Sequence, residues 1–257
     1  MKKVILILSA AMVLFASFKK EAGKKKAGIF KGPETSVYRG KAWTWVELDK
    51  EGNPVRTAIS INEDALNSVK IGNGTASGHH QHNDGNNIVL NFHPKASGLP
   101  FKHVWLNWNP DGHEPQGVYT KPHFDVHFYL VDVEERETFT DTVKLDASLP
   151  ADYVPANHLG VHPMQAMGKH YVDLKAPELS GTPFTQTYIY GSYDSRLAFL
   201  EPMITLDFLK TTASFERSLP QPAKFQKPGY YPTKMRITKS KGVVNVILEG
   251  FVYNTAS

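Results

Sequence analysis

The chain has 257 residues, 41% hydrophobic and 21% charged, with 11 His and no Cys. That length suffices for a sizeable core in one large domain or two small ones, and the absence of thiols removes disulfides, thiolate nucleophiles and Cys-ligated metal centres. The formal charge of +4 lies in residues 1–26, which hold seven Lys and one Glu; the other 231 residues carry 22 Lys+Arg against 24 Asp+Glu, so no basic surface for nucleic acid is expected.

The first residues read as a targeting segment. Lys2 and Lys3 precede an apolar run from Val4 to Ala16, the pattern of a signal peptide and too short for a stable transmembrane anchor. The exit Leu14-Phe-Ala-Ser-Phe18-Lys-Lys is similar to a bacterial lipoprotein leader with Phe18 where the acylated Cys would stand. Residues 1–26 are therefore expected to be a signal peptide and basic linker, with export to the periplasm or beyond and no lipid anchor. Ala22-Gly23 is an alternative cleavage point.

No linker divides residues 27–257, which are expected to form one mainly β domain, an antiparallel sandwich or barrel with one or two short helices. Seventeen Pro and 19 Gly punctuate short runs of Val, Ile, Phe, Tyr and Thr. Ser36–Leu48 and Val55–Ile61 read as a hairpin around the turn at residues 50–54. Asn62 caps a short helix with acidic residues in its first turn. Residues 73–87 read as a loop, and Ile88–Phe92 and His103–Trp108 as strands. Pro122–Val133 is the clearest strand. Residues 150–183 read as a long ordered excursion without a strand pair. Thr185–Tyr190, Leu197–Leu200 and Met203–Leu209 resume the β pattern, although Leu206–Thr211 suits a short helix equally. The end folds as a hairpin turning at Ser240-Lys-Gly and closing on Phe251 and Tyr253.

Chemistry concentrates in residues 105–129. On a strand, His123, Asp125, His127 and Tyr129 share one face, while Phe124, Val126, Phe128 and Leu130 share the other. The second set is a core face. The first is an unusual row of polar groups. With no Cys, a metal would be held by imidazole nitrogen and carboxylate oxygen. Same-face neighbours on a strand are roughly 6.5–7 Å apart, so His123/Asp125 or Asp125/His127 can share an ion, whereas His123 and His127 can do so only across a bulge. Further ligands must then come from elsewhere, and the candidates are His113, His170 and Glu201. Glu201 lies in an apolar run, where an unpaired carboxylate is costly to bury. Equally, Asp125 between two His can be a polar hydrogen-bond network without a metal. His158 and His162 read as surface loop residues, and His79, His80 and His82 with Asp84 as a solvated loop. Trp and Tyr near the strand read as core.

Four segments, GHEPQGVY (112–119), PHFDVHFY (122–129), MGKH (167–170) and EPMIT (201–205), resemble a little-characterised family of secreted bacterial β proteins known as a domain of unknown function. The resemblance spans about residues 35–255 and implies a shared polar site without naming a reaction. A vaguer similarity is to cupin barrels, but those use His-x-His closely followed by Glu, unlike the His-x-Asp-x-His spacing here. The resulting expectation is an exported protein binding a divalent metal, zinc or similar, through His113, His123, His127, His170 and Glu201, with Asp125 a ligand or an orienting group. Metal-assisted hydrolysis or lyase chemistry on an unknown small molecule would use Asp125 or Glu201 as base. The alternative is a non-catalytic envelope protein in which the same residues are a structural network. Oligomeric state is left open.

Overall fold

A computed structural model describes residues 27–72 and 86–257; the expected leader and the His79, His80, His82 and Asp84 cluster lie outside the described residues. In chain order the strands are β1 (Gly28–Lys31), β2 (Thr35–Val37), β3 (Gly40–Leu48), β4 (Pro54–Asn62), β5 (Asn87–Asn91), β6 (His103–Asn109), β7 (His123–Tyr129) and β8 (His158–Gly160). They continue with β9 (Lys169–Asp173), β10 (Gln186–Tyr193), β11 (Arg196–Thr205), β12 (Ser214–Ser218), β13 (Gly229–Tyr231), β14 (Lys234–Ser240), β15 (Val243–Glu249) and β16 (Val252–Asn254). Four short helices join them: α1 (Glu63–Leu66), α2 (Val133–Glu137), α3 (Thr142–Asp146) and α4 (Leu206–Thr211).

The strands form two antiparallel sheets and a small ribbon. The first sheet runs β1-β3-β4-β15-β14-β12 with β2 against β3, and the second runs β5-β6-β7-β11-β10-β9-β8. Neither closes on itself, which makes the domain a sandwich and not a barrel. Alternation explains the interface. Val104, Leu106 and Trp108 of β6, Phe124, Val126 and Phe128 of β7, and Leu200 and Ile204 of β11 share one buried cluster with Val46, Ile59, Ile61, Val246, Leu248 and Ile237 of the facing sheet. Burying aliphatic and aromatic side chains of this size stabilises by roughly 1.5–3 kcal/mol each. The apolar half of the β7 row thus packs between the sheets, as its pattern requires.

Several local expectations hold. Asn62 accepts a hydrogen bond from the Ala65 amide and caps α1. Residues 206–211 are helical, with the Thr205 hydroxyl accepting from the Phe208 amide. Lys241, at the turn between β14 and β15, has φ 50°, the left-handed conformation that two-residue hairpin turns use. Among the described residues no helix is long and apolar enough to cross a membrane.

Some expectations fail: four short helices stand where one or two were expected, and the strand expected over Pro122–Val133 ends at Tyr129, with α2 beginning at Val133. Residues 150–183 do contain a strand pair, since β8 and β9 align antiparallel with Leu159 opposite Val172. The strands are three and five residues long, too short for alternation to stand out among the flanking Pro, Gly and His. His158 accordingly begins a strand and packs edge-on to Tyr190 at 5.7 Å; it is half-buried and not a surface loop residue. β9 lies between β8 and β10 in the second sheet and carries His170, which stands opposite Gly191 of β10.

The second sheet is covered on its outer face as well. The segment carrying α2 and α3 lies over that face, with the Arg136 guanidinium 4.1 Å from the Trp105 ring centre and donating to the Ala166 carbonyl at 3.0 Å. The Tyr129 hydroxyl donates to the Met167 carbonyl at 3.2 Å. This cover buries the Tyr129 end of β7, whose seven residues are all buried.

Candidate metal centres on the outer face of the second sheet

The outer face is read directly from the strand register. Across β6 and β7, Trp105 faces His127, Asn107 faces Asp125 and Asn109 faces His123. Across β7 and β11, Met203 faces Asp125 and Thr205 faces His123. Side-chain alternation then sets Glu201, two residues before Met203, on this same face. Two apolar clusters flank the polar row. Trp105, Tyr129, Met167 and Phe199 pack at one end, and Tyr119, Phe184, Ile189 and Met203 at the other.

Within the row, six ionisable side chains sort into two triads, not the single centre that the spacing suggested. One is His113, His123 and Asp125; the other is His127, His170 and Glu201; in each, one donor atom per residue lies within 4.8 Å of the others. His123 and His127 are partitioned between the triads because β7 is regular and brings them no nearer than its extended repeat allows. Both triads have the same plan: a fully buried His from β7, a carboxylate almost as buried, and a partly exposed His from another segment.

In the first triad, His123 Nε2 is 3.1 Å from Asp125 Oδ1 and His113 Nε2 is 3.6 Å from Asp125 Oδ2. Each ring is oriented from behind. His123 Nδ1 lies 2.6 Å from the Lys121 carbonyl and His113 Nδ1 2.7 Å from the Glu114 carbonyl. A carbonyl only accepts, so both Nδ1 atoms carry the proton; Nε2 then faces the carboxylate with a lone pair in the neutral ring and with a second N–H donor in the protonated one. Asn109 Nδ2 donates to Asp125 Oδ2 at 2.7 Å. Asp125 Oδ1 and His123 Nε2 make no hydrogen bond. Three acceptors converging in this way call for a cation or a proton between them. Burial pushes the Asp125 carboxyl up, but the adjacent His123 and His113 outweigh it and hold the group well below the usual carboxylate range. Burial pulls His113 down, and Asp125 reverses this to leave it raised.

His113 comes from a loop that must double back tightly. Its amide donates to the Tyr119 carbonyl at 2.9 Å, and Gly112 before it has φ +72°, with the Tyr119 carbonyl oxygen only 2.2 Å from where a Cβ would be. Only glycine fits there. The loop also brings Tyr119 under the site, edge-on to Phe184 at 5.0 Å, while Phe184 stands edge-on to the His123 ring at 5.3 Å.

In the second triad, His127 Nε2 is 3.4 Å from Glu201 Oε1 and His170 Nε2 is 3.7 Å from Glu201 Oε2. Burial, with the Asp125 charge adding, pushes the Glu201 carboxyl well above its ordinary value. Its Oε2 makes no hydrogen bond. A cation placed among these three donors would reverse that shift. Phe199 closes this centre, 4.9 Å from the His127 ring and 5.0 Å from the His170 ring, edge-on to both.

Both triads face one cavity of about 580 Å³, lined by His113 and Asp125 of the first, His170 and Glu201 of the second, and mainly apolar side chains around them. All five residues expected as ligands, together with Asp125, are therefore on the outer face. His162, expected on a surface loop, is exposed and borders the cavity mouth. Sequence reading missed Asn109, Phe184 and Phe199, the residues that hold the donors in place. Asn109 was legible, since His103, Trp105, Asn107 and Asn109 alternate along β6; Phe184 was not, because it lies outside any regular element. No family model, curated protein or solved structure matches the chain, so the geometry alone carries the functional argument.

Two outcomes follow from this packing. A Cβ on Gly191 would lie 1.9 Å from the Phe199 ring, which is confined by His127 and His170. Gly191→Ala should lower stability by about 1–3 kcal/mol, seen as a reduced urea midpoint at unchanged slope, and Phe199→Leu in the same chain should recover part of it. His103 is stacked on Tyr129 at 5.0 Å. Burial, with the Arg136 charge adding, lowers it from 6.5 to about 4. The unfolded ring gains its proton first on acidification, so stability is retained above pH 6.5 and lost as pH falls towards 4. His103→Phe should lose less of its urea midpoint between pH 7 and pH 5 than the natural chain does.

Proposed function

We propose that the protein is an exported binder of divalent metal, zinc or another ion preferring nitrogen and oxygen donors, with one ion at each triad and a small molecule admitted beside them. The observation that carries this reading is the orientation of His113 and His123. Their Nδ1 protons are held by main-chain carbonyls, and their Nε2 atoms face one carboxylate. This is the outer-shell arrangement that orients histidine ligands on a metal.

The donor set fits such an ion. Two imidazoles and a carboxylate leave positions open for water or substrate, as catalytic zinc and non-haem iron sites do. A divalent ion bound there supplies Lewis-acid polarisation and an activated water, the chemistry of metal-assisted hydrolysis. The chain's own residues do the positioning. Asp125 offsets positive charge with Oδ1 while Asn109 holds Oδ2. Glu201 needs one oxygen as a ligand, which leaves the other to accept a proton from a bound water. The apolar clusters on either side keep bulk water from the donors and strengthen each electrostatic contact. The segments at residues 112–119, 122–129, 167–170 and 201–205 supply all six donors. Export rests on the sequence of residues 1–26.

Elemental analysis of the dialysed full chain after zinc loading tests this reading. Two zinc per chain are expected, falling to one in Asp125→Asn and to one in Glu201→Gln, both close to isosteric. Thermal unfolding serves as the fold check, and zinc at one hundred times its Kd should stabilise the natural chain by about 2.7 kcal/mol per occupied site. Because protonated imidazoles cannot ligate, retention should decline as pH falls through the histidine range. A natural chain that folds, binds no zinc and unfolds identically in EDTA would overturn the reading and leave the triads as hydrogen-bond networks.

A further inference from the structure

The cavity is unusual in its charge. Among the described residues, its lining includes the carboxyl groups of Glu114, Asp125 and Glu201 but no Lys or Arg. Unloaded, its only groups able to carry positive charge are the imidazoles of His113, His162 and His170, with no permanently charged side chain to hold an anion. With a divalent ion at each triad, four positive charges face three negative ones, and the sign of the floor is inverted. Away from the floor the walls are apolar, formed by Met164, Met167, Val172, Leu179, Ile189 and Met203. The volume of about 580 Å³ is in the range of small-molecule sites, whose bodies contact apolar walls while a few polar groups fix one end.

The spacing of the triads adds a constraint. Asp125 and His127 are adjacent same-face positions on β7, roughly 6.5–7 Å apart along the strand. Paired ions that share a single oxygen are only ~3.5–4 Å apart. Two centres that far apart would not share one oxygen, so a head carrying several oxygens on one central atom would suit them better than a lone hydroxyl.

We infer that this cavity takes a small amphipathic oxyanion, with a carboxylate or phosphoryl head at the two metal centres and an apolar body along the methionine-rich wall. The inference rests on the metal reading above. The head supplies specificity for the loaded protein, and the body supplies affinity through buried apolar area. The flexible, polarisable methionine side chains adapt to the body's shape and impose little selection on it.

Calorimetric titration of the zinc-loaded full chain tests this with four probes. Phenylphosphonate and benzoate carry both head and body, inorganic phosphate carries a head alone, and benzyl alcohol carries a body without charge. At least one of the first pair should bind about tenfold or more tighter than phosphate and than benzyl alcohol. Whichever of the pair binds tighter identifies the head as phosphoryl or carboxylate. EDTA should abolish that binding. Val172→Glu on the wall should weaken phenylphosphonate and benzoate about tenfold while leaving the zinc content at two per chain. Benzyl alcohol binding as tightly as the anions, or anion binding that survives EDTA, overturns this inference while two bound zinc leave the metal reading standing. A chain without zinc overturns both.

Discussion

The constraint on which the rest of the structure depends is the burial of two carboxylates on the outer face of an internal sheet. Asp125 and Glu201 are each only 2% exposed. An ionised carboxylate in such surroundings is costly unless partners compensate it. The chain answers with four imidazoles, two from β7 itself and one each from a glycine-enabled loop and from β9. The two carboxylates respond in opposite directions. Asp125 is drawn down by the histidines beside it and Glu201 is forced up by its surroundings, so the triads are alike in composition but unlike in charge.

The sandwich makes this arrangement tenable. β7 has one face in the inter-sheet core, where Phe124, Val126 and Phe128 pack, and the other in the polar row. The first face stabilises the fold and the second tolerates costly groups because the first is complete. The loop at residues 113–119 and the segment at residues 161–167 turn what would be a wet sheet surface into a walled cavity, and Arg136, stacked on Trp105, holds the Ala166 carbonyl of the second. A two-layer architecture is thereby extended locally to a third layer, and the candidate centres lie between the second and third.

Much of this was legible in the sequence, for reasons that can be named. The alternation from His123 to Tyr129 has the period of a strand and separates a core face from a polar one without any knowledge of partners. Glu201 stood out because a carboxylate in an apolar run needs compensation, and it does lie between two histidines. What spacing along one chain cannot supply is the register between strands. Whether His127 belongs with Asp125 or with Glu201 depends on β11 lying beside β7 and on β9 reaching across β10, and both are tertiary facts. The short strands β8 and β9 were hidden for a related reason. Their pairing is stabilised by the sheet they join more than by their own composition.

The donors of each centre are drawn from distant parts of the chain: residues 113 to 125 for one, and residues 127, 170 and 201 for the other. The first can gather as soon as a local hairpin and its loop are in place. The second needs β9, β10 and β11 assembled in order against β7, so it exists only in the finished tertiary structure. The two candidate centres thus differ in the length of chain that each must close over. Glu201 is the donor that ties the far end of the chain's outer-face row to β7, so the second triad reports on the whole sheet while the first reports on one hairpin and its loop.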